Sequence, residues 1–199
     1  MNDRAFSHGS PDEWGVPDFD GPAHGKPIAP WLSRQKSFLP TCRHWREPVD
    51  LRDGLTVFAS AWFDRPHRKQ VDMDWPDVGF YLDGTWASAA LVSSPGFRPP
   101  FTARRRTQIV IYPWPDLGLP RDPRRFKRAL RWLLEQAATG RRVEIGCAGG
   151  HGRTGTTLAA LLVLQGMTPT RALRRIRGAY CDEAIESVQQ GDMVRRLAR

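Results

Sequence analysis

The chain of 199 residues predicts an α/β layer fold. Short runs rich in β-branched and aromatic residues come first, and helical periodicities dominate the second half. The last strand-like run passes through a glycine-rich loop into an apolar helix. A composition of 40% hydrophobic and 26% charged residues suits a soluble globular chain.

The elements follow in order. Residues 1–30 hold many Gly, Pro, Asp and His without periodicity and read as a flexible segment, leaving 31–199 as a single domain. Strands are expected at Leu55–Ala59, Val78–Leu82, Ala87–Val92, Thr107–Tyr112 and Arg142–Gly146. Asp122–Ala138 reads as a helix, because Phe126, Leu130, Leu133, Leu134 and Ala137 share one face and Gly140 closes it. Thr154–Gln165 is apolar all round and is expected to be a buried helix. Thr168–Arg177 has Thr168 as N-cap and Pro169 in the first turn. A last helix covers Ser187–Leu197.

The chemistry concentrates in Val143-Glu-Ile-Gly-Cys-Ala-Gly-Gly-His-Gly-Arg-Thr-Gly155. Gly149, Gly150 and Gly152 lack a Cβ and allow a loop whose amides all turn inward. With Ala148, His151 and Arg153 they are the candidate phosphate-binding residues. The helix that follows adds its positive end, and Arg153 adds a planar fork for two oxygens. The same field is expected to lower the Cys147 pKa and leave a nucleophilic thiolate. The Thr154 hydroxyl is placed to donate to the sulfur. The His151 ring is either a substrate contact or a solvated loop group; as a contact it would change charge near neutral pH. A Walker A reading fails, because it needs glycine where Cys147 stands and lysine where Arg153 stands. A Rossmann reading of Gly150-x-Gly152-x-x-Gly155 matches in letters alone. The bland alternative is a tight turn with an inert cysteine.

This segment resembles the signature loop of the cysteine-dependent protein-tyrosine and dual-specificity phosphatase superfamily, His-Cys-x-x-Gly-x-x-Arg-Ser/Thr. Here Gly146 replaces the histidine, while Cys147, Gly150, Arg153 and Thr154 match. The resemblance implies a central, mostly parallel twisted sheet of about four to five strands flanked by helices. It also implies hydrolysis of phosphate monoesters through a phosphocysteine, with no cofactor or metal. Trp114-Pro-Asp-Leu-Gly-Leu-Pro120 is similar to the family's acid-bearing loop, which makes Asp116 the expected general acid and Trp114 its packing residue. Trp75-Pro76-Asp77 spells the same tripeptide without the Gly-x-Pro closure and reads as a turn. Ala184-Ile-Glu-Ser-Val-Gln-Gln190 resembles the segment ending in a water-positioning glutamine, which would be Gln190, with Gln189 beside it. Its plainer reading is a helix start capped by Ser187.

The resemblance implies a phosphotyrosine or dual-specificity protein phosphatase, with a phosphoinositide as the alternative substrate, since Gly152-Arg-Thr-Gly155 also resembles the lipid-directed branch. A phosphate-binding pseudophosphatase is a further alternative. A sulfur-transfer or arsenate-reducing enzyme is disfavoured by the Trp114-Pro-Asp116 loop. A net charge of +9 admits nucleic acid or an anionic membrane as partner, but solvated helix faces explain the arginine runs more simply, so nucleic acid is not expected. No window reaches a transmembrane span, and with neither a basic start nor an apolar core in the first residues no signal peptide is expected. Three cysteines, Cys42, Cys147 and Cys181, are too few for a disulfide framework and fit a reducing, cytoplasmic setting. Cys42 and Cys181 read as small buried residues or as redox partners of Cys147. No Cys/His group has zinc-ligand spacing.

Overall fold

A computed structural model describes residues 42–64, 76–83, 108–112 and 114–198. All belong to the unit Pro40–Arg199. The expected strand Ala87–Val92 and the segment 1–30 lie outside the described residues. The protein is mixed α/β. Among the described residues, five strands, β1 (Glu47–Asp50), β2 (Thr56–Ala61), β3 (Val78–Tyr81), β4 (Gln108–Ile111) and β5 (Val143–Cys147), form one sheet in the order β1-β2-β5-β3-β4. Four described helices flank it: α1 (Pro123–Ala138), α2 (Gly152–Leu164), α3 (Pro169–Ala179) and α4 (Val188–Arg196).

β5 lies between β2 and β3, parallel to both, and every residue of it is buried. A strand covered on both faces needs a near-continuous apolar run, which Val143, Ile145 and Cys147 supply. Glu144 is the exception. Its carboxylate accepts from Arg46 Nε at 2.8 Å and from the Tyr81 hydroxyl at 3.2 Å. Burial pushes its pKa up against the pull of Arg46. β1, which the sequence reading did not anticipate, pairs antiparallel with β2. It has four residues, one of them Pro48, and the tight turn to β2 uses Asp53 and Gly54 at φ 58° and 73°.

α1 starts as expected. The Asp122 carboxylate caps it by accepting from the amides of Arg124 and Arg125, both at 2.9 Å. Those amides hold the Asp122 pKa below its usual value. Phe126, Leu130, Leu133 and Ala137 are buried as the periodicity predicts, with Ala129 beside them. Gly140, at φ 78°, donates to the Ala137 carbonyl and ends the helix. α2 begins two residues earlier than expected and is buried from Gly152 to Val163. It lies in the core, where its Leu158 and Leu161 share one cluster with Phe80 and Ile145. Thr168 stands at the α3 N-cap, but its hydroxyl makes no cap bond; Pro169 fixes the first turn instead. α4 opens with a capping box between Ser187 and Gln190. No described helix is long and apolar enough to cross a membrane.

Candidate active site

The chain leaves the C-terminal end of β5 at Cys147 and enters α2 at Gly152. In an open α/β sheet this end of the parallel strands is where ligands are held. The loop between them is turned by contacts to its carbonyls. The Cys147 and Ala148 carbonyls accept from the amides of Trp62 and Phe63 at 2.9 and 3.1 Å. The Gly150 carbonyl accepts from the Tyr180 hydroxyl at 2.7 Å, and the His151 carbonyl from the Gly155 amide at 2.9 Å. In a planar trans peptide the next N–H points the other way. The amides of Ala148, Gly149, His151 and Gly152 therefore face the side opposite these contacts. Gly150, at φ 79°, allows the bend, and its own amide donates to Cys147 Sγ at 3.2 Å.

Cys147 Sγ also accepts from the Thr154 hydroxyl at 3.1 Å. Against expectation, the thiol pKa is raised. Burial dominates, and the opposing pull of the Thr154 hydroxyl, the Arg153 charge and the Thr154 amide does not offset it. The sequence shows the donors and the cation, but not that the sulfur is 2% exposed.

Arg153 is buried at the start of α2. One terminal nitrogen donates to the Trp114 carbonyl at 3.1 Å. The other meets Asp116 Oδ1 at 3.1 Å and Asp83 Oδ2 at 3.3 Å. Its Nε has no hydrogen-bond partner. Trp114 packs edge-on against Phe126, and its Nε1 donates to the Gly118 carbonyl at 2.7 Å. The Asp116 loop is thus folded on itself and seated on Arg153, with the Asp116 side chain 72% exposed. Asp77 sits elsewhere, at the opposite end of the sheet, where its carboxylate accepts from the Arg142 amide at 2.8 Å.

The known proteins that this chain resembles can now be named. Residues 101–198 match the family described as "Swiss Army Knife protein, DSP-PTPase phosphatase domain". Tk-PTP, solved in its active form, has 26% identity and a TM-score of 0.50 over 62% of this chain and 78% of its own. Over these residues the chain is similar to the dual-specificity and protein-tyrosine phosphatase superfamily. The kinase associated phosphatase shares the fold, with a TM-score of 0.55 over 78% of this chain and 94% of its own at 16% identity. Two uncharacterised proteins of Methanocaldococcus jannaschii are 31% and 39% identical over 100 residues, 46% of this chain in each case. The chain covers 66% and 61% of their lengths, less than two thirds of each.

Cys147, Arg153, Thr154, Asp116 and the loop come together at this end of the sheet. Gln190 lies against the same loop: it is fully buried, and its Nε2 is 3.2 Å from where a Cβ on residue 152 would stand. Its Oε1 accepts from the Glu186 amide at 3.0 Å, while Nε2 has no partner. Gln190 thus closes the capping box of α4 with Ser187, and its Nε2 keeps a free donor. The His151 ring departs from both sequence readings. It is 5% exposed, and its Nδ1 faces the Cys181 thiol at 3.3 Å. Burial and then His44 hold its pKa down at about 4, so the ring is neutral near neutral pH rather than titrating there.

Two carboxylates escaped the sequence reading. Asp83 follows β3 and no motif marks it. Glu186 comes so close to Gly152 that any side chain at 152 would collide with it. Partial burial, and then Asp116, raise the Glu186 pKa, against the Gly152 amide and Arg153. The Ala-Ile-Glu-Ser stretch was the available signal for Glu186.

Proposed function

We propose that this domain hydrolyses phosphate monoesters on proteins, as a phosphotyrosine or dual-specificity phosphatase, through a covalent phosphocysteine. The observation that carries the reading is the seating of Cys147 Sγ between the Gly150 amide and the Thr154 hydroxyl, with Arg153 bridging to Asp116. In this reading the amides of Ala148, Gly149 and His151 and the Arg153 fork hold the three phosphate oxygens. The raised thiol rests protonated. The entering phosphate dianion takes its proton, and the sulfur attacks phosphorus. As the S–P bond forms, the P–O bond to the substrate breaks and Asp116 protonates the leaving oxygen. Water then cleaves the S–P bond. Asp116 receives its proton, Gln190 Nε2 orients it, and Thr154 donates to the departing sulfur. Most of the rate arises from the preorganised amides and guanidinium around the transferring group.

The test is hydrolysis of an aryl phosphate by the full chain without added metal. Turnover absent in Cys147→Ser and reduced by about 10²-fold or more in Asp116→Asn is expected. Phosphate binding without turnover would instead identify a binding protein, and undiminished turnover in Cys147→Ser would exclude the cysteine mechanism.

A further inference from the structure

Against the Cys147 loop four side chains converge that the proposed reaction does not use. Cys42 Sγ lies 3.4 Å from Cys181 Sγ. His151 Nδ1 lies 3.3 Å from Cys181 Sγ and 3.9 Å from Cys42 Sγ. One donor atom from each of these and from His44 all lie within 4.8 Å of one another. We propose that Cys42, His44, His151 and Cys181 form a closed tetrahedral site for a zinc-class divalent cation. The cation would staple the back of the catalytic loop to the chain before β1 and to the α3–α4 connection.

The spacing fits a tetrahedron. Zinc bonds of about 2.3 Å to sulfur and about 2.0–2.1 Å to nitrogen place neighbouring ligand atoms about 3.3–3.8 Å apart. The three separations among Cys42, Cys181 and His151, 3.4, 3.3 and 3.9 Å, lie within about 0.4 Å of those values. Two thiolates and two imidazoles form a donor set that selects zinc over the hard cations. Each thiol gives its proton to solvent on binding, and no redox change is involved.

His44 supplies the independent observation. It is 1% exposed, and its Nε2 has no hydrogen-bond partner. A buried polar atom without a partner is costly, so it points to a missing ligand. Its Nδ1 is bonded to Glu47 Oε2 at 2.7 Å, the carboxylate–histidine pairing that fixes the tautomer of a metal-bound imidazole. Its backbone is held on both sides, its amide donating to Asp64 Oδ2 at 2.7 Å and its carbonyl accepting from the Ala61 amide at 2.7 Å. The ring presses on the loop, since its Cδ2 is 3.2 Å from where a Cβ on Gly150 would stand. A Cys42–Cys181 disulfide is the competing use of the two sulfurs, but it would leave His44 Nε2 without a partner. The ligands come from three segments, with Cys42 109 residues from His151 and 139 from Cys181. That separation is why the sequence shows no zinc spacing, and the expectation of no metal is revised accordingly.

The full chain, expressed in zinc-supplemented medium and purified under reductant, should carry about one zinc per chain by elemental analysis. X-ray absorption should show two sulfur and two nitrogen neighbours. Cys147→Ser should retain the metal, whereas Cys181→Ser and His44→Ala should lose it. If those variants do not fold, wild type refilled with Co²⁺ should show tetrahedral ligand-field bands with thiolate charge transfer. Four results would overturn the site: reduced wild type that takes up neither zinc nor cobalt, a native Cys42–Cys181 disulfide in metal-free protein, metal retained without Cys181 or His44, or metal lost with Cys147. None of these readouts depends on turnover.

Discussion

At the scale of single residues, Cys147 and Arg153 are governed by burial. The sulfur is nearly sealed, so its charged form is disfavoured even with a hydroxyl, an amide and a guanidinium beside it. Alkylation of Cys147 by iodoacetamide should therefore be slow at neutral pH and should accelerate only above the ordinary thiol range. Thr154→Val removes a donor to the sulfur and should move the midpoint of that pH profile upward; a downward shift would mean that the hydroxyl does not favour the thiolate. The sign for stability follows. A thiol raised in the folded state stabilises the fold fully below the unfolded thiol pKa, and that contribution is lost as pH rises through the folded one. The letters Cys-x5-Arg-Thr announce the donors and the cation. They cannot announce Asp83, because its approach to Arg153 is made by the β3–β5 pairing and not by sequence proximity.

At the scale of elements, the ends of helices carry much of the site. α2 brings Gly152, Arg153 and Thr154 into the loop, and the start of α4 brings Glu186 and Gln190 against it. α2 packs so closely on the α3–α4 connection that a Cβ on Gly155 would stand 2.7 Å from Ala184 Cβ and 3.2 Å from its Cα. Backbone cannot yield as a side chain does, so Gly155→Ala should destabilise the fold by about 1–3 kcal/mol in denaturant titration. A change below about 0.5 kcal/mol would show that the contact between α2 and the 184–185 segment is soft. Helix periods and caps were readable in the sequence because they are local: Phe126 to Ala137, Asp122 and Ser187 all stand where expected. β1 was not readable, since four residues with a proline have no period, and its strand character comes from pairing with β2.

At the scale of the whole molecule, a parallel sheet has two unlike ends. Cys147 and the Asp116 loop lie at the C-terminal end of the strands, whereas Asp77 is at the other, where it ties β3 to the start of β5. The two Trp-Pro-Asp tripeptides are thus told apart by topology. Asp77→Asn should leave kcat/KM for an aryl phosphate within about twofold, while Asp116→Asn should lower it by about 10²-fold or more. Equal losses from the two substitutions would break the assignment of the acid. The central claim is that the sulfur of Cys147 becomes covalently phosphorylated, and the most direct measurement is rapid acid quench of the full chain with an aryl phosphate, followed by peptide mass analysis. One added phosphoryl group is expected on the Cys147 peptide, formed within the first turnover and absent in Cys147→Ser. Turnover with no phosphorylated Cys147 peptide, or with the label on another residue, would contradict it.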